Sequence, residues 1–529
     1  MNSEKPNVKI NLEDLATFCK KKGFVFQAGE IYGGLAGFFD FGPLGVELKN
    51  NLKNLYWKEF VQKREDIVGQ DGAIITNPKV WKASGHVDTF GDMLLTTKDT
   101  KTKLRADHFI EDELNMPGDA LGPKEIEDLI VKHNLKYNGE DFELPIQFFS
   151  GMLNTQIGAD VSKQSKAYLR PETAQSIFPN FKIIAETSRQ QLPFGITQIG
   201  KAYRNEISPR DFVFRCREFE QIEMEYFYHP ESVCEELTQE LLDTKLKILT
   251  AKAQDDETFE MIETTIGDLH KDESYKLNTF HAYWLAKYYN WLTNEVGLKP
   301  ENLRVRQHVQ TELSHYSNAT FDIDFKYPMG FKEMLGMANR GNFDLTQHQQ
   351  HSKTKMEIFD EKMKSKAIPN VIEPSMGVER FMMAVLYQGY EDDKERGNIV
   401  LNLTPKVAPY KVAIFPLVNK AGLPEVAREI FNELIDEDIE VLYDKSGSVG
   451  KRYARADEIG IPFCLTIDFE TLGQSNEDDS EEVKAEKLAN KDSVTIRDRV
   501  TGKQTRVEIE NISAIIKNLV KGKVDFDLI

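Results

Sequence analysis

A chain of 529 residues, 40% hydrophobic and 29% charged, is long enough for two to four domains with sizeable cores. No apolar run reaches membrane-spanning length, and the opening stretch MNSEKPNVKINLEDL lacks a secretory core and carries early acids, so a cytoplasmic protein without a membrane contact is expected. The net charge of −19 counts only weakly against a nucleic-acid partner, since a local basic surface suffices to grip phosphates.

Asn11 to Lys22 reads as a short amphipathic helix: Asn11 can cap it, Leu12, Leu15, Phe18 and Cys19 share a face, and Gly23 closes it. The glycine-rich segment Gly29 to Gly45 lacks the lysine and spacing of a P-loop and reads as turns and tight backbone packing. A helical stretch is expected over roughly Gly45 to Lys63, then an extended segment reaching Pro78. Residues 110–165 are polar and irregular, as in an insertion between core strands. Residues 232–300 carry helical periodicity, with Leu237, Leu241, Leu242 and Leu246 and then Trp284, Tyr288 and Trp291, and read as a second, largely helical insertion. Two prolines in LNLTPKVAPY mark a boundary near Asn402 to Tyr410, dividing the chain into residues 1–405 and 406–529. Beyond it the strands KVAIFPL, EVLYD and IPFCLTID alternate with helices over Leu423 to Asp436 and Val449 to Ile459. A hairpin over Ser493 to Glu508, turning at Thr501-Gly502, and a last helix from Asn511 to Val520 complete a small α/β domain with a mostly parallel sheet. Residues 475–492 read as a solvated acidic loop.

Three stretches put unusual polar groups on regular elements. ITQIGKAYRNE and REFEQIEMEYFY, joined by ISPRDFVFRC, both alternate and predict an antiparallel pair with a long loop. On the second strand Ile222, Met224, Tyr226 and Tyr228 share one face, and Phe219, Gln221, Glu223 and Glu225 the other. The partner strand adds Arg204 and Glu206, the loop Arg210, Arg215 and Arg217. Solvent exposure accounts equally well for one acidic strand face, but acids and arginines converging on one sheet suit a ligand carrying phosphates and an amine. In YLRPETAQSIFPN, Arg170-Pro171-Glu172 precedes an apolar turn, which alone reads as a helix start. In VIEPSMGVERFMMAVL, Pro374 ends a strand, Ser375 can cap the next helix, and Val378, Phe381, Met382, Val385 and Leu386 form its buried stripe. Arg380 falls off that stripe, and Gly377 lets an anion approach the helix N-terminus. The cysteines Cys19, Cys216, Cys234 and Cys464 form no CxxC pair, and His348 and His351 lack a paired acid or cysteine at ligand spacing. No zinc is expected, and the two histidines read as surface residues.

Together these stretches resemble the signature motifs of the class II aminoacyl-tRNA synthetases. Arg204-Asn205-Glu206 looks like the core of the second motif, Gly377-Val378-Glu379-Arg380 like the third, and the helix and strand ending at Pro78 like the first. LRPETAQ, AYRNEISPR, REFEQIEMEYF, IEPSMGVER and SHYSNATFDI are similar to the dimeric glycyl enzymes of that class, over essentially the whole chain. The resemblance implies an α+β fold: an antiparallel-sheet catalytic domain with helical insertions, and a C-terminal α/β anticodon-binding domain, in a homodimer. It implies activation of glycine by ATP with Mg²⁺, then transfer to the 3′ end of tRNA(Gly), releasing AMP and diphosphate. Arg204 would clamp the α-phosphate and the substrate carboxylate. Arg380 would hold the γ-phosphate and cover the adenine, with Phe219 on the other side and Glu206 accepting from the adenine amino group. Glu333, in FKEML, would ligate Mg²⁺. The resemblance adds Asn205, Phe214, Arg215, Cys216, Arg217 and Glu218 to the ATP site, with Met334, Gly377, Val378 and Glu379. Around glycine it places Arg105, Glu172, Phe219, Glu220, Gln221, Ile222 and Glu223, then Glu373, Pro374, Ser375, Met376 and Gly377. Lys451, Arg452 and Arg455, with Arg497 and Arg499 on the hairpin, would meet tRNA, a solvated basic face being the plainer alternative. Attack of a second ATP on the adenylate would yield diadenosine polyphosphate, a side reaction the sequence does not address. A class II enzyme for serine, proline or threonine is the weaker reading, because RPETAQ together with IEPSMG favours glycine. A catalytically dead relative would be expected to lose Arg204, Glu206 and Arg380, all present here.

Overall fold

The computed structural model describes residues 10–529 apart from 115, 117–120, 159–165, 314–316 and 475–478, so Ser314 to Tyr316 of SHYSNATFDI lie outside the described residues. Its centre is a nine-stranded sheet. In chain order the strands are β1 (Ile67–Gly69), β2 (Phe194–Tyr203), β3 (Glu218–Tyr228), β4 (Lys245–Leu249), β5 (Met261–Thr265), β6 (Leu303–Gln307), β7 (Ala319–Tyr327), β8 (Gly330–Gly341) and β9 (Asn370–Gly377). They lie in the order β5-β4-β6-β7-β8-β9-β3-β2-β1, antiparallel except where β4 meets β6 and β2 meets β1.

Period-two alternation in β3 decides what each face does. Ile222, Met224, Tyr226 and Tyr228 are buried in the main core, as the pattern predicts. Helices α1 (Leu12–Lys22), α2 (Pro43–Trp57) and α4 (Thr279–Trp291) contribute to that same core, and Tyr226 meets Trp284 edge-on at 4.8 Å. Asn11 caps α1 by accepting from the Asp14 amide, and Gly23 closes it at φ 78°. The opposite face carries the short helix α3 (Ala174–Ile177), while the helix after β9, α5 (Val378–Gly389), packs into the main core through Val378, Phe381, Met382 and Val385.

Both insertions differ from the sequence reading. Residues 232–300 are not simply helical: β4 and β5 extend the sheet, and Leu246 sits in β4, where KLKIL buries alternate residues. Of residues 110–165, those described up to Ser150 belong to a built subdomain. Helices Ala106–Leu114 and Pro123–His133 pack around Phe109, Ile110, Ile126, Ile130 and Phe142, beside a sheet of Gly91–Thr96, Lys103–Arg105 and Gln147–Ser150. The polar composition concealed a small core because only one side of each helix is apolar.

The C-terminal unit has strands β10 (Val412–Pro416), β11 (Val441–Tyr443), β12 (Phe463–Ile467), β13 (Ser493–Asp498) and β14 (Gln504–Glu508), in the order β11-β10-β12-β13-β14. The first three are parallel and the β13–β14 hairpin is antiparallel. Helices α6 (Leu423–Asp436), α7 (Val449–Glu458) and α8 (Ile512–Lys521) accompany them. Part of the acidic run is helical, over Glu481–Ala489, rather than loop throughout; residues 475–478 of it lie outside the described residues. Arg396 bridges the two units, donating to the carbonyls of Arg499 (2.8 Å) and Val500 (2.9 Å). Among the described residues no helix is long and apolar enough to cross a membrane.

Candidate active site

β9 lies between β3 and β8, and its alternate residues Glu373, Ser375 and Gly377 share the face that holds Gln221, Glu223 and Glu225. Ser375 stands opposite Glu223 on one side and Gly336 on the other, and Gly377 opposite Gln221. Pro374 does not end this strand, which runs to Gly377. Gly377, not Ser375, is the N-cap of α5. Arg204 follows β2 directly. Arg204, Glu206, Phe219, Gln221, Glu333, Ser375, Gly377 and Arg380 line one hollow.

At one end of the hollow Arg380 lies 4.3 Å over the Phe214 ring, donates to the Phe214 and Glu333 carbonyls, and pairs with the Glu333 carboxylate at 3.2 Å. Arg204 donates to the Pro171 carbonyl and packs against Phe219 and Phe90, 5.4 and 5.8 Å from the ring centroids. The Glu206 carboxylate accepts from Arg215 at 2.6 Å, and Arg217 donates to the Glu206 carbonyl. Asn205 turns away to the Ser150 carbonyl. Cys216 lies beneath the hollow, its thiol bonded to the Val213 carbonyl and pushed up by burial. A divalent cation suits this end. Asp322 Oδ1 and Glu333 Oε1 converge beside Gly336, 3.5 and 3.7 Å from where a side chain there would begin, and hard cations take carboxylate oxygens. Asp322 was not singled out from the sequence, where its alternation in TFDIDF is the only signal.

Behind Gln221 and Ser375 of that lining, both of which donate to Glu223, three carboxylates gather. Burial alone would raise Glu172, yet His86, Arg340 and Arg204 outweigh it and hold the carboxyl down to about 2. His86 Nε2 lies 3.3 Å from Glu172 Oε2, and no described donor reaches Oε1. Glu223 is saturated: the Thr173 and Ala174 amides and the Thr173 hydroxyl donate to one oxygen, Gln221 and Ser375 to the other. A carboxylate offers about four lone-pair sites, so Glu223 braces its neighbours. Glu373 accepts from Arg340, whose guanidinium also grips Asp344. Burial first, then the like charges of Glu223 and Glu172, raise Glu373 to about 8 although Arg340 pulls it down. His348 is buried, not a surface residue: it meets Gln175, which donates to Asp344. Arg340 and His86 had no sequence signal, because neither belongs to a periodic polar face.

Several residues expected at the site turn their side chains elsewhere. Ile222, Met334, Met376 and Val378 belong to the core on the other face. Glu218 pairs with Lys201, and Glu220 with Lys49 and Lys53. Glu379 does border the hollow, but its carboxylate is tied to Lys49 and the Glu220 amide, fixing α5 against β3. Arg105 pairs with Asp92 and Asp107 and lines a neighbouring cleft with Arg210 and Arg215. Arg170 is a buried brace, donating to the Gly72 and Lys201 carbonyls. In the C-terminal unit three expected tRNA contacts are spent internally. Arg452 donates to the Pro416 and Leu417 carbonyls, Arg497 forks onto Asp457, and Arg499 bonds the Gly460 and Leu403 carbonyls. A basic run cannot reveal which arginines are structural. Lys451 is exposed; Arg455 is exposed but paired with Asp444.

Residues 159–388 match the family described as tRNA synthetase class II core domain (G, H, P, S and T), and residues 411–519 match the anticodon binding domain. With the antiparallel sheet and the two-arginine hollow, they define a class II aminoacyl-tRNA synthetase. The chain is 41% identical over 524 residues to the glycine–tRNA ligase of Borreliella burgdorferi, covering 98% of this chain and 100% of that one. It is 41% identical over 524 residues to that of Caldanaerobacter subterraneus subsp. tengcongensis (97% and 99% covered) and 40% identical over 529 to that of Clostridium perfringens (96% and 98%). The chain belongs to the glycine–tRNA ligase family.

Proposed function

We infer that this hollow is where glycine and ATP react, and that the chain then passes the glycyl group to tRNA(Gly). The observation that carries the reading is the meeting of Arg204 and Arg380 with Glu172 and Glu373 across one sheet face. Glycine's carboxylate attacks the α-phosphorus of ATP and diphosphate leaves. A terminal ribose hydroxyl of tRNA then attacks the glycyl carbonyl, AMP leaves, and the hydroxyl proton passes to solvent. A carboxylate is already nucleophilic, so the first step needs positioning and charge neutralisation rather than a base. In this reading Arg204 holds the α-phosphate and substrate carboxylate, while Arg380 and Phe219 enclose the adenine. Glu206 faces the adenine amino group. Glu172 and Glu373, which keep acceptor capacity, grip the ammonium, and Glu223 sets Ser375 and Gln221 as its wall. Exclusion by that wall suits glycine, which has no side chain to accommodate. Asp322 and Glu333 would hold Mg²⁺, which supplies positive charge beside the phosphates when bound.

The C-terminal unit, with Lys451 and Arg455 exposed, is proposed to read the anticodon. A homodimer is proposed from the likeness of α2 and the strand after it to the first class motif, and a cytoplasmic location from membership of this translation family; light scattering tests the first. Diadenosine polyphosphate synthesis would follow if a second ATP reached the adenylate. The deciding experiment is ATP–pyrophosphate exchange with glycine, serine, proline and threonine: exchange with glycine alone is expected, and equal exchange with another amino acid overturns the reading. Arg204→Ala should slow exchange roughly 10²–10³-fold, and a near wild-type rate removes it from the mechanism.

A further inference from the structure

Glu225 has no part in the site described so far. It is wholly buried on the polar face of β3. The register that sets Glu223 against Ser375 and Tyr226 against Ile372 places Glu225 directly across from Glu373. Among the described residues no donor reaches either of its oxygens. Its hydrogen-bonding neighbour is the Glu373 carboxyl itself. The charged groups facing it are Glu373 on β9, Arg340 on β8 and Glu223 on its own strand, while β2 offers Ile196 in register. Two carboxyls in hydrogen-bond contact, with no cation or amide between them, must share a proton. Arg340 already compensates Glu373, so once Glu373 ionises to meet the substrate ammonium the remaining proton rests on Glu225.

We propose that Glu225 is a positioning residue for glycine selection: an enclosed neutral carboxylic acid that donates its proton to Glu373 and fixes that carboxylate toward the substrate ammonium. The inference rests on the reading of Glu373 as an ammonium ligand. Burial first, then the charge of Glu373, keep Glu225 well above the ordinary carboxyl range, which agrees with the geometry. A neutral acid also spares the site a fourth negative charge beside Glu172, Glu223 and Glu373, which would hold glycine too tightly to Glu225 itself or repel the substrate carboxylate.

Pyrophosphate-exchange kinetics of three variants test this. Glu225→Gln keeps a donor at the same place, and its KM for glycine should stay within about twofold of wild type. Glu225→Met keeps the volume and loses the donor, and should raise the glycine KM about tenfold or more while the ATP KM holds; that scale matches the loss of one buried donor to a charged group. A Met variant with unchanged glycine KM overturns the proposal, as does a Gln variant as impaired as Met. Glu373→Ala separates the two layers: an unmoved glycine KM there refutes the reading of the site rather than the role of Glu225. Should the Met variant not fold, infrared difference spectra of glycine-saturated wild type and Glu225→Gln decide. The carbonyl stretch of a protonated carboxyl must be present in the first and absent in the second, and any other pattern refutes the proposal.

Discussion

In the inferred complex Glu172 and Glu373 meet one ammonium group from opposite electrostatic starting points. Glu172 is held down to about 2 against the pull of burial by His86, Arg340 and Arg204, so it is an anion throughout the working range. Glu373, raised to about 8 by burial and like charge, is largely protonated at neutral pH in the empty site and must ionise to grip the substrate. Glycine binding therefore expels a proton, and affinity improves as pH rises toward that value. We expect the glycine KM to fall roughly tenfold between pH 6 and 7 and to level off above 8, with the ATP KM flat; a pH series in pyrophosphate exchange checks it. Glu172→Ala should raise the glycine KM far more than the ATP KM, and equal effects on both would displace Glu172 from the amino-acid site. At this scale the sequence revealed the charged residues but not their employment. Glu223 and Glu225 alternate identically along β3, yet one is saturated by five donors and the other has only a carboxyl for company. That difference is made by α3 and β9, which arrive from elsewhere in the chain.

Helices and strands were the most legible elements. α1, α6 and the β2–β3 pair follow from caps and periodicity, because each has one buried and one polar side. The readings failed where the signal was shared: KLKIL satisfies a helical and a strand pattern alike, and the polar insertion hides its core on single helix stripes. Glycines separate packing from propensity at this scale. A Cβ on Gly45, in the first turn of α2, would lie 1.9 Å from the Phe24 carbonyl oxygen, whereas one on Gly450 in α7 would meet nothing within 4 Å. We expect Gly45→Ala to destabilise the protein by about 1–3 kcal/mol, and Gly450→Ala to be neutral or stabilising by up to about 1 kcal/mol. Thermal melts of the two variants measure the contrast, and equal shifts would refute the close approach of α2 to Phe24.

Across the molecule, Arg396 couples the two units by holding the Arg499 and Val500 carbonyls, while Arg499 reaches back to Leu403. Arg396→Ala leaves the hollow untouched. Pyrophosphate exchange should stay near wild type while tRNA charging falls several-fold, as the C-terminal unit proposed to read the anticodon loses its fixed distance from the sheet. A parallel loss of both activities would show that the arginine stabilises the whole fold instead. The prolines near Asn402 mark this junction in the sequence; Arg499, one of the two arginines that weld it, reads there as a nucleic-acid contact, since charge alone does not say whether a side chain points outward. The place of β9 has a consequence for biosynthesis. It is the last strand of the large sheet to leave the ribosome, yet it belongs between β3 and β8. Until it emerges, both neighbours present open backbone edges, the usual seeds of aggregation. At about 5–20 residues per second, the nascent chain spends some seconds in that state, an interval in which a chaperone able to cover strand edges would govern yield.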